Sequence, residues 1–245
     1  MLSKLTVAEA KIFLRDPGAP AVVLGIPLAL VLVFGLMPGS REPSAEHGGQ
    51  SALATLIAPM AVAILLGILA VYMLPGAMAA HREKGVLKRM AASPMAPSRL
   101  LAAQLLVNLA IAVVAIVLVV GVGTIALGMA LPKNPGGFFA VALLGAVSLF
   151  SVGTLLAAFV PSTRAANGLG AAVFFPMLAL GGVWVPKEQL PPVLQHIADV
   201  LPLGATLGSL RETAAGHAPQ WLPLVALAVV AIVCSTLAAR FFRWE

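Results

Sequence analysis

The side chains with the greatest potential for chemistry lie close together, in the segment AAHREKGVLKRMAASPMAPSRLLAAQ at positions 79–104. The segment holds a carboxylate, Glu83, and a group of basic residues, and long apolar runs flank it on both sides. A cationic cluster of this kind can contact anionic lipid headgroups or a protein partner. The basic residues are Arg82, Lys84, Lys88, Arg89 and Arg99.

The sequence lacks the common catalytic and nucleotide-binding motifs. No glycine-rich phosphate loop ending in Gly-Lys-Ser/Thr occurs, and neither does a His-Glu-x-x-His or Gly-x-Ser-x-Gly motif. The histidines are too scattered to predict a metal site; they are His47, His81, His196 and His217. The sequence therefore predicts that the chain is not an enzyme by itself and binds no metal or cofactor of its own.

The composition is that of an integral membrane protein. Hydrophobic residues make up 60% of the 245 residues, charged residues 10%, and the mean hydropathy is +1.03. A soluble domain carries about 25% charged residues, because it must cover a water-facing surface. The net charge of +6 is explained by basic residues that stay on the cytoplasmic side of a membrane, so it does not call for a nucleic-acid partner.

Six apolar runs are long enough to cross a bilayer, which takes about 20 residues. We therefore predict one all-α membrane domain over residues 1–245. Residues 1–19 form a helix in the membrane interface, and residues 186–219 an outer re-entrant helical hairpin that breaks at Leu201-Pro202. The six runs cover residues 20–37, 51–79, 100–131, 138–160, 166–185 and 221–239.

Orientation follows from the basic residues. Six crossings place the N-terminus, the loops after the second and fourth spans, and the C-terminus on one side, which holds eleven of the 15 Lys and Arg residues. This bias predicts that both termini are cytoplasmic. No Asp or Glu lies inside a predicted span. Ion-coupled carriers usually keep such residues at membrane depth. If the chain moves solutes uphill, we therefore expect the energy to come from outside the chain.

The charged loop itself shows a helical pattern. Val86, Leu87 and Met90 share one face with Glu83 beside them, and Ser93-Pro94 should end the helix. Such a helix either docks a soluble partner or rests on anionic lipid, and its pattern alone leaves both open.

The residues of this loop also resemble a known family. Arg-Glu-x-Gly, Val-Leu-x-x-Met and Ser-Pro, directly after the second of six spans, are similar to permeases of the ABC-2 type, the membrane subunits of exporters such as the daunorubicin/doxorubicin type. The segment GGVWVPKEQLPPVLQHIADVLPLGATLGSLRE resembles the part of these permeases that follows the fifth span. One departure is Val86, where threonine is more usual.

The resemblance implies a mechanism. Two permeases, identical or related, pair in a bacterial plasma membrane, and two ATPase subunits that bind ATP and Mg dock from the cytoplasm. Residues 80–98 would then be the coupling helix that transmits the motion of the ATPases. The residues assigned to this coupling by resemblance are Arg82, Glu83, Gly85, Leu87, Met90, Ser93 and Pro94.

The same resemblance places the substrate path between two permeases, along the first, second and fifth spans. The apolar residues there favour a hydrophobic or amphipathic cargo, such as a drug or antibiotic, although ordinary helix or lipid packing also explains them. Two alternatives are export of a lipid-linked glycan and ion-coupled transport. The candidate path residues are Met60, Tyr72, Met73, Phe174, Phe175 and Met177.

Overall fold

The structure, a computed structural model, describes residues 2–86, 98–185 and 187–241. Almost all regular structure in these ranges is helical, and two-residue strands β1 (Pro43–Ser44) and β2 (Gln50–Ser51) pair antiparallel in the first long loop. The α-helices are α1 Leu2–Arg15, α2 Gly18–Gly35, α3 Ala58–Ile68, α4 Leu74–Glu83, α5 Ser98–Leu127, α6 Pro135–Phe159, α7 Thr163–Leu180, α8 Pro192–Val200, α9 Pro202–Ala215 and α10 Trp221–Phe241.

The second predicted span is one continuous helix that contains two π-helical turns. Leu53–Ile57 precedes α3, and Leu69–Met73 joins α3 to α4. Counted as one helix, Leu53–Glu83 is among five helices in the described ranges that are long and apolar enough to cross a membrane; the others are α2, α5, α6 and α10. The fifth predicted span corresponds to α7, which has 18 residues and is not one of these five.

The helix Leu53–Glu83 forms the centre of the molecule. Of its apolar stretch 83% is buried, against 22% for α2 and for α10. The two outer helices bury only narrow stripes against their neighbours: on α2 the buried residues recur every fourth position, at Val23, Pro27, Val31 and Gly35. The remaining faces of the outer helices are apolar and exposed, as expected for helices that contact lipid.

Glycines let the neighbouring helices approach the second π turn very closely. A Cβ added to Gly153 of α6 would lie 1.9 Å from the carbonyl oxygen of Ala70, and one added to Gly170 of α7 would lie 2.9 Å from that of Val71. A side chain at either position would force the helices apart. In the segment GLGAAV of α7, close helix packing thus depends on Gly170, whereas Gly168 has nothing within 4 Å.

The segment predicted as a hairpin forms two helices with the expected break. Leu201 is extended (ψ 131°) between α8 and α9, because a residue before proline avoids the helical region. Helix α9 is enclosed by the other helices: Leu203, Leu207 and Leu210 are fully buried. Its last carbonyls, on Thr213 and Ala214, accept hydrogen bonds from the backbone amides of the loop between α5 and α6.

The connections between helices gather at two ends of the molecule. We call the end with the loop before α6 the hairpin end, and the end where α4 meets the α6–α7 turn the junction end. At the hairpin end, the α5–α6 loop contacts both α9 and the first long loop, where Gln50 Nε2 donates to the Leu131 carbonyl (3.4 Å). At the junction end lie the last turn of α4, the α6–α7 turn and the end of α10, where the rings of Phe159 and Phe241 are 5.9 Å apart. The prediction from basic residues assigns the junction end to the cytoplasm.

Candidate functional site at the end of α4

The candidate site is formed where α4 ends. The amide of Lys84 donates to Ala80 (3.1 Å) and that of Gly85 to Arg82 (3.0 Å), and Gly85 then adopts φ +67°. A left-handed residue after the last helical turn is a common helix stop, and glycine adopts it at little cost. The stop fixes His81, Arg82 and Glu83 in the last turn of α4.

His81 joins α4 to the N-terminal helix. Its Nε2 lies 3.2 Å from Glu9 Oε1 and 3.3 Å from Oε2. The Glu9 side chain is only 7% exposed and that of His81 15%, so the carboxylate is withdrawn from water and needs a partner. The acidic residue that interrupts the apolar face of α1 is therefore explained by a contact with a residue 72 positions away.

Arg82 joins α4 to the end of α6. Its Nη1 donates to the carbonyl oxygens of Ala157 (3.4 Å) and Val160. The last carbonyls of a helix lack partners within that helix and carry the negative end of its dipole, so a guanidinium suits this position. Val160 is extended (ψ 123°), which ends α6 just before Pro161.

Glu83 joins α4 to the start of α7. Its Oε1 accepts a hydrogen bond from the Thr163 amide (2.9 Å), and both carboxylate oxygens lie within 3.3 Å of the Thr163 hydroxyl. Ser162 Oγ accepts from the Ala165 amide (3.2 Å), so α7 has two caps at its N-terminus. A carboxylate at this end is also stabilised by the positive end of the α7 dipole.

We call these three side chains and their partners Glu9, Val160 and Thr163 the His81–Glu83 junction. Consecutive residues on a helix point about 100° apart, so three in a row can reach three different neighbours. Here each one binds a different element: α1, the end of α6 and the start of α7. A displacement of the α4 terminus would therefore pull on all three at once.

One sequence prediction about this site is wrong. Glu83 was predicted to lie on the same helix as Val86, Leu87 and Met90, beside the face that those three residues share. It is the last residue of α4, and the left-handed Gly85 separates it from Val86. The single helical wheel drawn through Glu83 and Val86 therefore does not apply. The physical reason is that the second span continues as a helix well beyond its apolar residues.

The remaining coupling residues fall mostly outside the described ranges. Leu87, Met90, Ser93 and Pro94 lie there, as does most of the predicted helix 80–98. Val86 is described, and it packs against a small cluster that includes Met78, Leu100, Ala157 and Ala158. The start of the coupling segment is thus held against the same α6 terminus that Arg82 binds.

The predicted substrate-path residues lie in different surroundings. Phe174 and Met177 are buried, Phe175 is half exposed, and the other three are partly buried against the core. The Tyr72 and Phe174 rings meet edge to face at 5.5 Å, and Phe175 lies 6.3 Å from the exposed Trp184. The partly buried three are Met60, Tyr72 and Met73. Their role in transport stays a prediction.

A large apolar groove adjoins one of these residues. It has a volume of about 1000 Å³, lies between α6, α7, α8 and α10, and Met177 is part of its wall. His196 is the polar side chain in its lining, and its Nδ1 donates to the Pro192 carbonyl (2.7 Å). The groove has the size and character of a site for a hydrophobic or amphipathic molecule.

Sequence reasoning missed the partners of the junction. Neither Glu9, which interrupts the apolar face of α1, nor Thr163 was among the predicted site residues. A buried acidic residue in an amphipathic helix is a signal that a basic partner exists elsewhere. For Thr163 the signal was weaker, since Ser-Thr after Pro161 predicts a helix start but not the residue that caps it.

Comparison with known proteins agrees with this architecture. The family model of the "ABC-2 type transporter" matches residues 2–214. Nodulation protein J of Neorhizobium galegae is 35% identical over 79 residues, which is 32% of this chain and 30% of that protein. The stretch shared with this relative thus spans less than a third of either protein, whereas the family model covers most of the chain. The chain belongs to the ABC-2 type transporter family.

Proposed function

We propose that this chain is the permease subunit of an ATP-driven exporter and that the His81–Glu83 junction distributes the motion of the ATPase among its helices. Members of the family are membrane subunits of ABC transporters and work with an ABC ATPase partner. The observation that carries the proposal is the junction itself, in which three consecutive side chains at the end of α4 bind α1, α6 and α7.

The mechanism follows from this geometry. Two ATPase subunits bind ATP and Mg and dock on residues 80–98 of two paired permeases. Closure of the ATPases displaces the start of this segment, which is continuous with α4. Arg82 and Glu83 hold opposite sides of the short α6–α7 turn, at a carbonyl end and an amide end. Rotation of the α4 terminus would therefore tilt α7 relative to α6 and open the path between the permeases.

The cargo we propose is a hydrophobic or amphipathic compound, of the drug or antibiotic kind. The apolar groove beside Met177 supports this choice, because it would offer few hydrogen bonds to a strongly polar solute. The lack of acidic side chains inside the predicted spans is in keeping with energy supplied by a separate ATPase.

The experiment is reconstitution in lipid, alone and with the ATPase subunit that co-purifies. The chain alone is expected to hydrolyse no ATP, and with its partner Glu83→Ala should bind the ATPase and lose export. ATP hydrolysis by a preparation free of a second protein would contradict the proposal, as would full export by Glu83→Ala at matched membrane levels.

Orientation is tested separately by cysteine labelling in a Cys234→Ser background. Gln189→Cys, beside α8, should react with an impermeant reagent added to intact cells, and Arg164→Cys, in the first turn of α7, should not. The reverse pattern would place the junction outside the cell, where an ATPase cannot reach it.

A further inference from the structure

The N-terminal helix turns two unlike faces to its surroundings. Lys4, Lys11 and Arg15 are exposed and, at about 100° per residue, lie within roughly 40° of each other around the helix. Glu9 and Phe13 lie on the opposite, inward face. We refer to the three exposed basic residues as the cationic face.

The acidic groups of α1 and of the turn that follows it do not neutralise the cationic face. Glu9 is buried against His81, and Asp16 Oδ1 accepts a hydrogen bond from the Gly18 amide (3.0 Å), at the start of α2. Both carboxylates of α1 and its following turn therefore have partners within the fold. The outward field of this helix is positive, which favours anions at its surface.

An apolar crevice lies beside the same helix. Its volume is about 290 Å³, and it separates α1 from α2 and α5. Leu14 forms part of its wall and is itself 71% exposed, so the crevice opens at the edge of α1, one helical turn from Lys11. The lining residues are Thr6, Ala10, Phe13, Leu14, Pro20, Leu24, Val107, Ala110, Ile111 and Val114.

We propose that the crevice and the cationic face together bind one anionic phospholipid. The acyl chain occupies the crevice, which has room for roughly ten groups of the size of a water molecule. The phosphate lies at Lys11 and its basic neighbours. A free phosphate ion would leave the crevice unexplained, and a zwitterionic lipid would leave the cationic face unexplained; an anionic lipid satisfies both. The leaflet follows from the proposed orientation and is the cytoplasmic one.

The site connects to the function proposed above, because α1 is also the element that Glu9 joins to His81. A bound lipid would hold α1 in place and so fix one of the three partners of the His81–Glu83 junction. Lipid composition would then regulate how strongly ATPase motion is transmitted.

The test measures lipid retention and needs no ATPase, so its failure is separate from a failure of the proposed function. The chain is reconstituted with equal amounts of phosphatidylglycerol and phosphatidylcholine, extracted gently, and weighed by native mass spectrometry. Two variants target the site: Lys4→Gln/Lys11→Gln/Arg15→Gln removes the cationic face, and Ala110→Phe fills the crevice. Arg164→Gln and Ala172→Phe are the matched controls, since Arg164 is exposed at the junction end and Ala172 lines the other groove.

We expect the wild type and both controls to retain one phosphatidylglycerol in preference to phosphatidylcholine. Each site variant should lower that retention about tenfold, as expected from the loss of several basic contacts or of the acyl slot. Equal retention of the two lipids, an equal loss in the controls, or displacement by millimolar inorganic phosphate would overturn the proposal. The basic residues are on the surface, so the triple variant tests the site even if Ala110→Phe fails to fold.

Discussion

The helices at the hairpin end and those at the junction end are held in place by different kinds of contact. At the hairpin end, α9 is buried and fixed by close backbone contacts: a Cβ on Gly204 would lie 2.3 Å from the Ala198 carbonyl, and backbone amides of a loop cap its last turn. At the junction end, small apolar clusters around Met78 and Ala79 pack α4 against its neighbours. Its last turn then binds them through the ends of three polar side chains.

This difference has a mechanical meaning. Contacts between backbones at van der Waals distance have one arrangement, because any sliding creates overlap or a void. Hydrogen bonds made by long side chains can stretch or exchange partners while the helices move. The hairpin end therefore suits a fixed frame and the junction end a moving part, as the proposed ATP-driven mechanism requires.

The largest effect on stability is expected for Gly204→Ala. The added methyl group meets the backbone of α8, which cannot move without separating α8 from α9, and overpacking of this kind costs about 3 kcal/mol. The measurement is the midpoint temperature of unfolding in detergent. Gly208→Ala, on the same helix with nothing within 4 Å, is the control and should be neutral or slightly stabilising. Equal midpoints for the two variants would show that the hairpin end is not closely packed.

A smaller but clear effect is expected for Arg82→Gln. The change withdraws the charged donor from the α6 carbonyls, and hydrogen bonds to charged groups contribute roughly 1.5 to 3 kcal/mol. Partial exposure of Arg82 places the expected loss at the lower end of this range. Unfolding midpoints and coupled export should both fall. Arg164→Gln, which removes an exposed basic residue at the same end of the molecule, should change neither; a similar loss there would attribute the effect to net charge.

Variants of Glu9 and His81 distinguish the stability cost of losing a partner from the cost of losing a charge. His81→Ala leaves a buried carboxylate without its partner, which costs about 1 to 3 kcal/mol. Glu9→Gln keeps a hydrogen-bonding side chain and should cost less. Unfolding midpoints of the two variants and of the double variant give the comparison. If Glu9→Gln proves the more damaging, the carboxylate is stabilised by something other than His81.

Much of this architecture follows from the sequence, because the bilayer imposes it. The predicted run 138–160 became Pro135–Phe159, the run 221–239 became Trp221–Phe241, and the break at Leu201-Pro202 is where it was expected. These features depend on local composition: apolar length, and proline with its effect on the preceding residue.

The parts that could not be predicted depend on distant residues. Glu83 caps a helix that begins 80 positions later, so its role requires knowledge of how α4 and α7 lie together. The π turn at Leu69–Met73 has no marker in its own composition, and it is recognised by the glycines of α6 and α7 that contact it. Local pattern explains the spans, whereas the contacts between them decide the site.

The smallest effect on stability is expected for Glu83→Ala, and this is where stability and function should separate. Glu83 is exposed, so its loss should change the free energy of unfolding by no more than about 1 kcal/mol. Transmission of the ATPase motion to α7 should nevertheless be lost, since the Glu83 carboxylate accepts hydrogen bonds from both the amide and the hydroxyl of Thr163. Glu83→Asp, with a shorter reach, should fall between wild type and Glu83→Ala in export assays.

The most direct test of the account follows the motion of α7 without knowledge of the cargo. A cysteine replaces Gly168, which is exposed on α7 with open space around it, in a Cys234→Ser chain purified with its ATPase partner. Its labelling rate is measured with and without ATP, and a cysteine at the exposed Gly136 of α6 serves as the hairpin-end control. ATP should change the rate at position 168 but not at 136, and Glu83→Ala should abolish the change while the ATPase stays bound. An ATP-dependent change that survives in Glu83→Ala would contradict the central claim that the junction carries the motion.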